Sequence, residues 1–236
     1  MRTFKQFING RLRDSSDGNA IIGVENPFTG KQVATMPKGG ATDAKEALEA
    51  AFRAQAGWSA QPAAHRGSYL SKMAGIIRSR RTELAKILAE EQAKVLPLAQ
   101  VEIDATAAYF DYYAGWSRIY EGEIIQSDRP TENIFLFRKP IGVVVGICPW
   151  NFPFFVMARK VAPSLLTGNT IVLKPSSIAP NTIMAFAEQV AESIELPPGV
   201  LNIITGQGST MGDLLTRSPL TGLVTLTGSV EAGQQV

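Results

Sequence analysis

The chain has 236 residues, of which 45% are hydrophobic and 19% are charged, a balance that fits an ordinary globular protein and excludes disordered and collagen-like classes. Its 23 basic and 21 acidic residues form no block of like charges, which argues against a nucleic-acid or membrane partner and favours small ligands. One cysteine and one histidine exclude a disulfide framework and a multi-residue zinc site. The N-terminus lacks the apolar run of a signal peptide, so we expect a cytoplasmic protein with no metal centre.

The first segment predicts short strands followed by a helix. Residues 6–37 contain short Ile- and Val-bearing runs separated by turn signals. Thr42 or Asp43 is then placed to cap a helix, because a glutamate follows Asp43 three residues later. The apolar stripe of this helix includes Leu48 and Phe52.

Two further helical stretches and a hairpin are predicted next. The first stretch runs from His65 to Lys94, and Pro97 is expected to break the chain before the second, from Gln100 to Tyr120. Residues 121–138 contain two apolar runs on either side of a turn-like Ser-Asp-Arg-Pro, the pattern of a β-hairpin outside the preceding helices.

Strands and helices alternate from Ile141 onward, which predicts an α/β fold with a parallel sheet covered by helices on both faces. The predicted strands are Val143–Ile147, Thr170–Leu173, Val200–Ile204 and Leu223–Leu226. The predicted helices are Phe154–Leu166, Asn181–Ile194, Met211–Thr216 and one that begins near Val230. Because the chain reaches Val236 only about two turns into this last helix, we expect a truncated sheet with an open edge at its last strand.

Four loops follow predicted strands, where ligands bind in open α/β sheets. They are Cys148–Pro153, Lys174–Ser177, Gly206–Thr210 and Thr227–Gly233. Each loop alone also has an ordinary interpretation, since glycine is the default turn residue and a loop lysine is commonly solvated. The usual three-glycine dinucleotide fingerprint is absent. The functional interpretations are that Lys174 donates to ribose or phosphate oxygens and that the Asn151 amide is directed at an oxyanion.

Together these segments resemble the aldehyde dehydrogenase superfamily, and within it the bacterial lactaldehyde and glycolaldehyde dehydrogenases. The resemblance extends over the whole chain in order and spacing. Its most specific part is Pro149-Trp150-Asn151-Phe152-Pro153, followed by a Gly-Asn-Thr strand and Lys174-Pro175-Ser176. The other matching segments are Ile8–Gly10, Asn26–Gly30, Arg138–Val143, Lys160–Ser176, Leu196–Asn202 and Thr227–Ser229.

The resemblance implies an NAD- or NADP-dependent oxidation of a small aldehyde to a carboxylic acid. Asn151 is the implied catalytic residue, as a donor to the oxyanion. The implied cofactor-binding residues are Ile147, Cys148, Pro149, Trp150, Lys174, Ser176, Ser177, Gly206, Gly208, Thr227, Gly228, Ser229 and Gly233. Ser177 stands where the family often has a glutamate, so we expect NADP to bind as well as NAD.

The family's nucleophilic cysteine and glutamate base lie beyond the Thr-Gly-Ser turn, and Cys148 follows an apolar strand, so we do not expect it to replace that cysteine. The implied domains are residues 1–120 (N-terminal strands and helices of the cofactor domain), 121–138 (an oligomerisation hairpin) and 139–236 (an incomplete Rossmann-like segment), with the catalytic domain absent. We therefore expect an aldehyde dehydrogenase fragment that is inactive alone, as a homo-oligomer or in association with a complete subunit. The alternative is a non-catalytic dinucleotide-binding or subunit-interaction fragment.

Overall fold

The computed structural model describes residues 1–236 as eleven strands and eight helices. The N-terminal part contains β1 (Arg2–Thr3), β2 (Gln6–Ile8), β3 (Arg11–Arg13), β4 (Ile21–Glu25), β5 (Gln32–Pro37), α1 (Ala41–Ser59), α2 (Ala63–Ser79), α3 (Arg81–Gln92) and α4 (Leu96–Trp116). The remainder contains β6 (Glu123–Gln126), β7 (Asn133–Leu136), β8 (Val143–Ile147), α5 (Pro153–Leu166), β9 (Thr170–Lys174), α6 (Asn181–Ser193), β10 (Leu201–Ile203), α7 (Gly208–Arg217), β11 (Thr221–Leu226) and α8 (Val230–Gln235).

The main sheet has six strands in the order β11-β8-β9-β10-β2-β3. The first four are parallel, as the continuous apolar runs predict. The whole sheet is mixed rather than parallel as predicted. The strands β2 and β3 from the N-terminal segment extend it in antiparallel pairing, with Phe7 opposite Ile203. The side chain of Asn202 accepts the backbone N–H of Asn9 at 2.9 Å and so holds the β2–β3 turn against β10. A separate sheet contains β1, β5 and β4.

Helices cover both faces of the main sheet, as predicted. On one face, Leu48 of α1 and Met211 and Leu215 of α7 pack against Val145 and Val172. On the other face α5 and α6 lie against the strands, and α2, α3 and α4 form a further layer around them. Burial on both faces explains why β8 and β9 are apolar without alternation.

Several helix boundaries differ from the sequence prediction, among them the start of α7, which begins at Gly208 rather than Met211. The predicted His65–Lys94 stretch is two helices, because the chain turns at Arg80, which has φ −106° and ψ 16°. Pro97 does not separate the later stretch from what precedes it, since it lies in the first turn of α4. A proline is tolerated there because the first backbone N–H groups of a helix have no partner within it. The helix therefore begins four residues earlier than predicted and ends at Trp116.

The predicted cap of α1 was also wrong. The carboxylate of Asp17 accepts the backbone N–H groups of Gly40, Thr42 and Asp43 at 3.0, 3.2 and 3.0 Å. The cap is thus supplied by an acidic residue from another segment, which satisfies the same unpaired donors as a local cap would. Phe52 is 57% exposed and does not belong to the buried stripe.

The predicted hairpin and sheet edge are present. β6 and β7 pair only with each other, and all their residues are exposed. β11 pairs only with β8 and forms one edge of the main sheet. No helix combines the length and the apolar character needed to cross a membrane.

Candidate functional site

Three of the four loops begin side by side at the carboxyl edge of the main sheet. Ile147, the last residue of β8, lies opposite Lys174 of β9 on one side and Leu226 of β11 on the other. The backbone N–H of Cys148 donates to the carbonyl of Lys174 at 3.0 Å, and that of Thr227 donates to the carbonyl of Ile147 at 3.1 Å. The parallel register therefore brings the three loops together.

The fourth loop joins them through a side chain. The hydroxyl of Ser177 donates to the carbonyl oxygen of Gly206 at 3.0 Å, so the loop after β9 and the loop after β10 are directly connected. The hydroxyl of Ser176 accepts the N–H of Ile178 at 3.2 Å and shapes the first of these loops.

Lys174 is buried rather than solvated, which removes the ordinary interpretation of a loop lysine. It is only 7% exposed, and burial lowers the pKa of its ammonium. Its Nζ donates to the carbonyl of Pro175 at 3.3 Å, which leaves donor capacity on the ammonium. The side chain lines a cleft of about 320 Å³, together with Ile147 and the first residues of α7, Gly208 and Ser209.

The two glycines of the third loop differ in their surroundings. A Cβ added at Gly206 would collide with the carbonyl oxygen of Gly39 and with the terminal methyl of Met211, so the close approach of two backbones requires a glycine there. A Cβ at Gly208 would meet nothing within 4 Å. Gly208 therefore borders open space at the cleft, whereas Gly206 is buried against its neighbours. Gly233 lies exposed on α8 and is not among the residues that line the cleft.

Lys160 belongs to this edge although the sequence analysis gave it no role. Its Nζ reaches from α5 to the hydroxyls of Thr225 at 3.2 Å and Thr227 at 3.0 Å. Its stem passes Gly146, where a Cβ would lie 3.3 Å from the lysine Cδ. The sequence signals for Lys160 are its place within an apolar helix and its position at the start of a segment that resembles the family.

Cys148 is buried beside these two lysines. Desolvation raises the pKa of its thiol to about 12, although the charges of Lys160 and Lys174 act in the opposite direction. The thiolate is the nucleophilic form of cysteine, so this raised pKa disfavours nucleophilic attack by Cys148 at neutral pH. That Cys148 is not the nucleophile stays a prediction.

Asn151 does not line the Lys174 cleft. It is exposed and, with Trp150 and Phe152, borders a second cavity of about 550 Å³ whose other walls include Glu91, Gln92, Lys94, Val95 and Leu98. The carboxamide of Asn151 makes no hydrogen bond within the chain. The structure thus places the expected oxyanion donor and the expected cofactor donor at separate cavities.

Two buried carboxylates, which sequence reasoning missed, lie at helix N-termini. Glu102 accepts the backbone N–H groups of Phe154 at 3.0 Å and Phe155 at 3.2 Å, at the start of α5. Glu91 accepts those of Asn181 at 2.6 Å and Thr182 at 3.1 Å, at the start of α6. Burial, with a contribution from the charge of Glu102, raises the pKa of Glu91 to about 7.

Comparison with known proteins defines the class. Residues 13–236 match the aldehyde dehydrogenase family, and the chain belongs to that family. It is 51% identical to lactaldehyde dehydrogenase of Escherichia coli K12 over 219 residues, which is 93% of this chain and 46% of that protein. The crystal structure of the Escherichia coli enzyme matches with a TM-score of 0.94 at 50% identity, over 99% of this chain and 49% of that one.

Two more distant relatives are described with a dinucleotide cofactor. D-glyceraldehyde dehydrogenase (NADP(+)) of Thermoplasma acidophilum is 36% identical over 232 residues, 98% of this chain and 47% of its own length. Betaine aldehyde dehydrogenase of Staphylococcus aureus, solved with NAD+, matches with a TM-score of 0.93 at 33% identity, over 98% of this chain and 47% of that one. Relatives in this family thus use NAD or NADP, and the chain spans about half the length of the relatives it matches.

Proposed function

We propose that these residues contribute the cofactor site and an oxyanion donor to the NAD(P)-dependent oxidation of a small aldehyde to a carboxylic acid by a cytoplasmic enzyme. The observation that supports the proposal most directly is the buried Lys174 at the end of β9, beside an open helix N-terminus at Gly208. An ammonium with spare donors and free backbone N–H groups suit the ribose and phosphate oxygens of a dinucleotide.

The other predicted site residues take roles that follow from their positions. In this proposal Ile147 and Cys148 form the floor of the cofactor site between the strand ends. Pro149 and Trp150 carry the chain from that floor to Asn151. The Thr227-Gly228-Ser229 turn closes the site on the side of β11, where Ser229 also accepts the N–H of Ala232 at 3.2 Å and so caps α8. When bound, NAD or NADP supplies the acceptor for the hydride that leaves the aldehyde carbon.

Asn151 acts in this proposal through its free carboxamide. An N–H donor aimed at the aldehyde oxygen stabilises the negative charge that develops on it, and loss of one such donor costs about 10²–10³ in kcat. Because the carboxamide has no partner within the chain, it is available for that contact.

We further propose that residues 1–236 bind the dinucleotide but do not oxidise aldehydes on their own. The only cysteine in the sequence is Cys148, which is buried and has a pKa of about 12. Aldehyde-dependent formation of NADH or NADPH by the isolated chain that survives Cys148→Ala would contradict this. Dependence of that activity on Cys148 would show that this thiol is the nucleophile.

The decisive experiment joins residues 1–236 to the complementary second half of the Escherichia coli lactaldehyde dehydrogenase and measures lactaldehyde oxidation. We expect turnover that falls about 10²-fold or more in Asn151→Ala. Asn19→Ala, at an exposed position before β4, is the matched control and should leave turnover unchanged. A well-folded joined protein that binds NAD yet shows no turnover would refute the proposed role of these residues.

A second candidate, subunit association, rests on the hairpin of residues 121–138. Ile124, Phe135 and Phe137 are 79%, 57% and 77% exposed, an apolar surface unusual for a free hairpin. We propose that this hairpin and the open edge at β11 associate with a second copy or with a complete subunit. Size-exclusion chromatography of Phe135→Glu should then show a smaller species than the unmodified chain. A monodisperse, cooperatively unfolding monomer from the unmodified chain would contradict association.

A further inference from the structure

The turn that carries Asn151 is anchored from outside by the end of α3, the loop that follows it and the start of α4. One carboxylate oxygen of Glu102 accepts the backbone N–H groups of Phe154 and Phe155, directly after the turn. The other oxygen accepts Nζ of Lys94 at 2.6 Å. The side chain of Glu102 is fully buried and that of Lys94 is 16% exposed, so this ion pair is largely shielded from water.

Further contacts reach the turn itself. The ammonium of Lys94 lies 4.3 Å from the centroid of the Phe152 ring, a cation–π contact. Phe152 has φ 46° and ψ 47°, a left-handed conformation that residues with a side chain rarely adopt and that needs support from its surroundings. The side-chain amide of Gln92 donates to the carbonyl oxygen of Trp150. Both neighbours of Asn151 are thus held, while its own carboxamide is free.

Capping of α5 alone does not account for this arrangement. A cap requires only the carboxylate of Glu102 at the first turn of the helix. A buried ion pair is also a poor way to gain stability, because apolar residues of the same volume commonly do as well. The contacts of Lys94 with Phe152 and of Gln92 with Trp150 instead fix the direction of the turn, which the cap does not need.

We propose that Glu102, through its ion pair with Lys94, is a positioning residue that fixes Asn151 for its contact with the aldehyde oxygen. This inference rests on the proposed function. Glu102 contacts neither the aldehyde nor the cofactor site in this role. It acts on the backbone of the turn and on Lys94, so its loss should misplace the Asn151 donor rather than remove it.

The first test is amide hydrogen exchange of the segment 150–156 in the chain of 236 residues. Glu102→Gln keeps the side-chain shape but loses the charge, and Lys94→Met keeps the stem but loses the ammonium. Both should speed exchange of this segment at least about fivefold, whereas Lys94→Arg, which retains the ion pair and the ring contact, should not. Asp104→Asn is the matched control, because Asp104 also lies on α4 and pairs with Arg81 of α3 at 2.6 and 2.7 Å, away from the turn.

The second test is steady-state kinetics in the joined protein described above. Glu102→Gln and Lys94→Met should lower kcat about tenfold or more with little change in the KM for the aldehyde, and Lys94→Arg should restore kcat. Unchanged exchange in both variants, or faster exchange with kcat unchanged, would overturn the proposal. If Glu102→Gln does not fold, the comparison of Lys94→Met with Lys94→Arg decides the outcome. Absence of turnover in the unmodified joined protein counts against the proposed function, and the exchange experiment then decides whether the anchor exists.

Discussion

The ammonium of Lys160 donates to the hydroxyl of Thr227 at 3.0 Å and thereby ties the middle of α5 to the end of the edge strand β11. The same Nζ also donates to Thr225 at 3.2 Å. An edge strand has hydrogen bonds on one side only, so a contact from the covering helix is an additional restraint on its end. The Thr227-Gly228-Ser229 turn therefore depends on a residue from a distant part of the chain.

Lys160→Met should loosen that turn. The variant keeps the apolar stem beside Gly146 but removes the ammonium and with it both hydrogen bonds. We expect a loss of about 1–2 kcal/mol in the free energy of unfolding. It should also speed hydrogen exchange at residues 227–232. Thr227→Val, which removes one acceptor only, should give a smaller change in both. Equal exchange in Lys160→Met and the unmodified chain would contradict the restraint.

The two glycines near the cleft should respond differently to alanine. Gly206→Ala places a Cβ against the Gly39 carbonyl and the Met211 methyl, so we expect a loss of about 1–3 kcal/mol in unfolding free energy. Gly208→Ala meets no atom within 4 Å and should change stability by less than about 0.5 kcal/mol. Urea unfolding of the two variants checks this. Similar losses in both would mean that the close backbone contact is not what requires Gly206.

Glu91 should make stability depend on pH. Its pKa is raised from 4.5 to about 7, so the folded state favours the protonated acid. The contribution to stability is then complete below pH 4.5 and is lost as the pH rises through 7, a change of about 3 kcal/mol at 1.36 kcal/mol per pKa unit. Glu91→Gln should abolish this part of the slope in urea unfolding between pH 4.5 and 8. Glu90→Gln, at the exposed neighbouring position, is the control and should retain the pH dependence of stability. An unchanged pH dependence in Glu91→Gln would contradict the prediction.

Ser177→Glu should weaken NADP binding relative to NAD binding, by about tenfold or more, because a carboxylate beside Lys174 repels a 2′-phosphate. The substitution also removes the hydrogen bond from Ser177 to Gly206. Ser177→Ala removes that bond without adding charge, so it should affect both cofactors equally. Calorimetric titration of the chain with each cofactor measures the ratio. An equal effect of Ser177→Glu on both would refute the charge argument.

Local sequence determined the elements around the site. The runs Val143–Ile147 and Thr170–Leu173 are β-branched and apolar, and both are strands, the second extending to Lys174. Strand ends in a parallel sheet meet at one edge, so the positions of the loops at Cys148, Lys174 and Thr227 followed from the order of the elements.

What only the tertiary structure decided involves partners that are far apart in sequence. Asp17 caps a helix 26 residues away, Glu102 binds backbone groups 52 residues away, and Glu91 binds them 90 residues away. Periodicity and capping rules describe neighbours in the chain, whereas a buried backbone N–H can donate to any oxygen that packing brings within reach. For the same reason, only the packed fold decides that β2 pairs with β10, that Lys174 is buried and that the turn around Asn151 is anchored. From the sequence, these residues could be recognised only by their type.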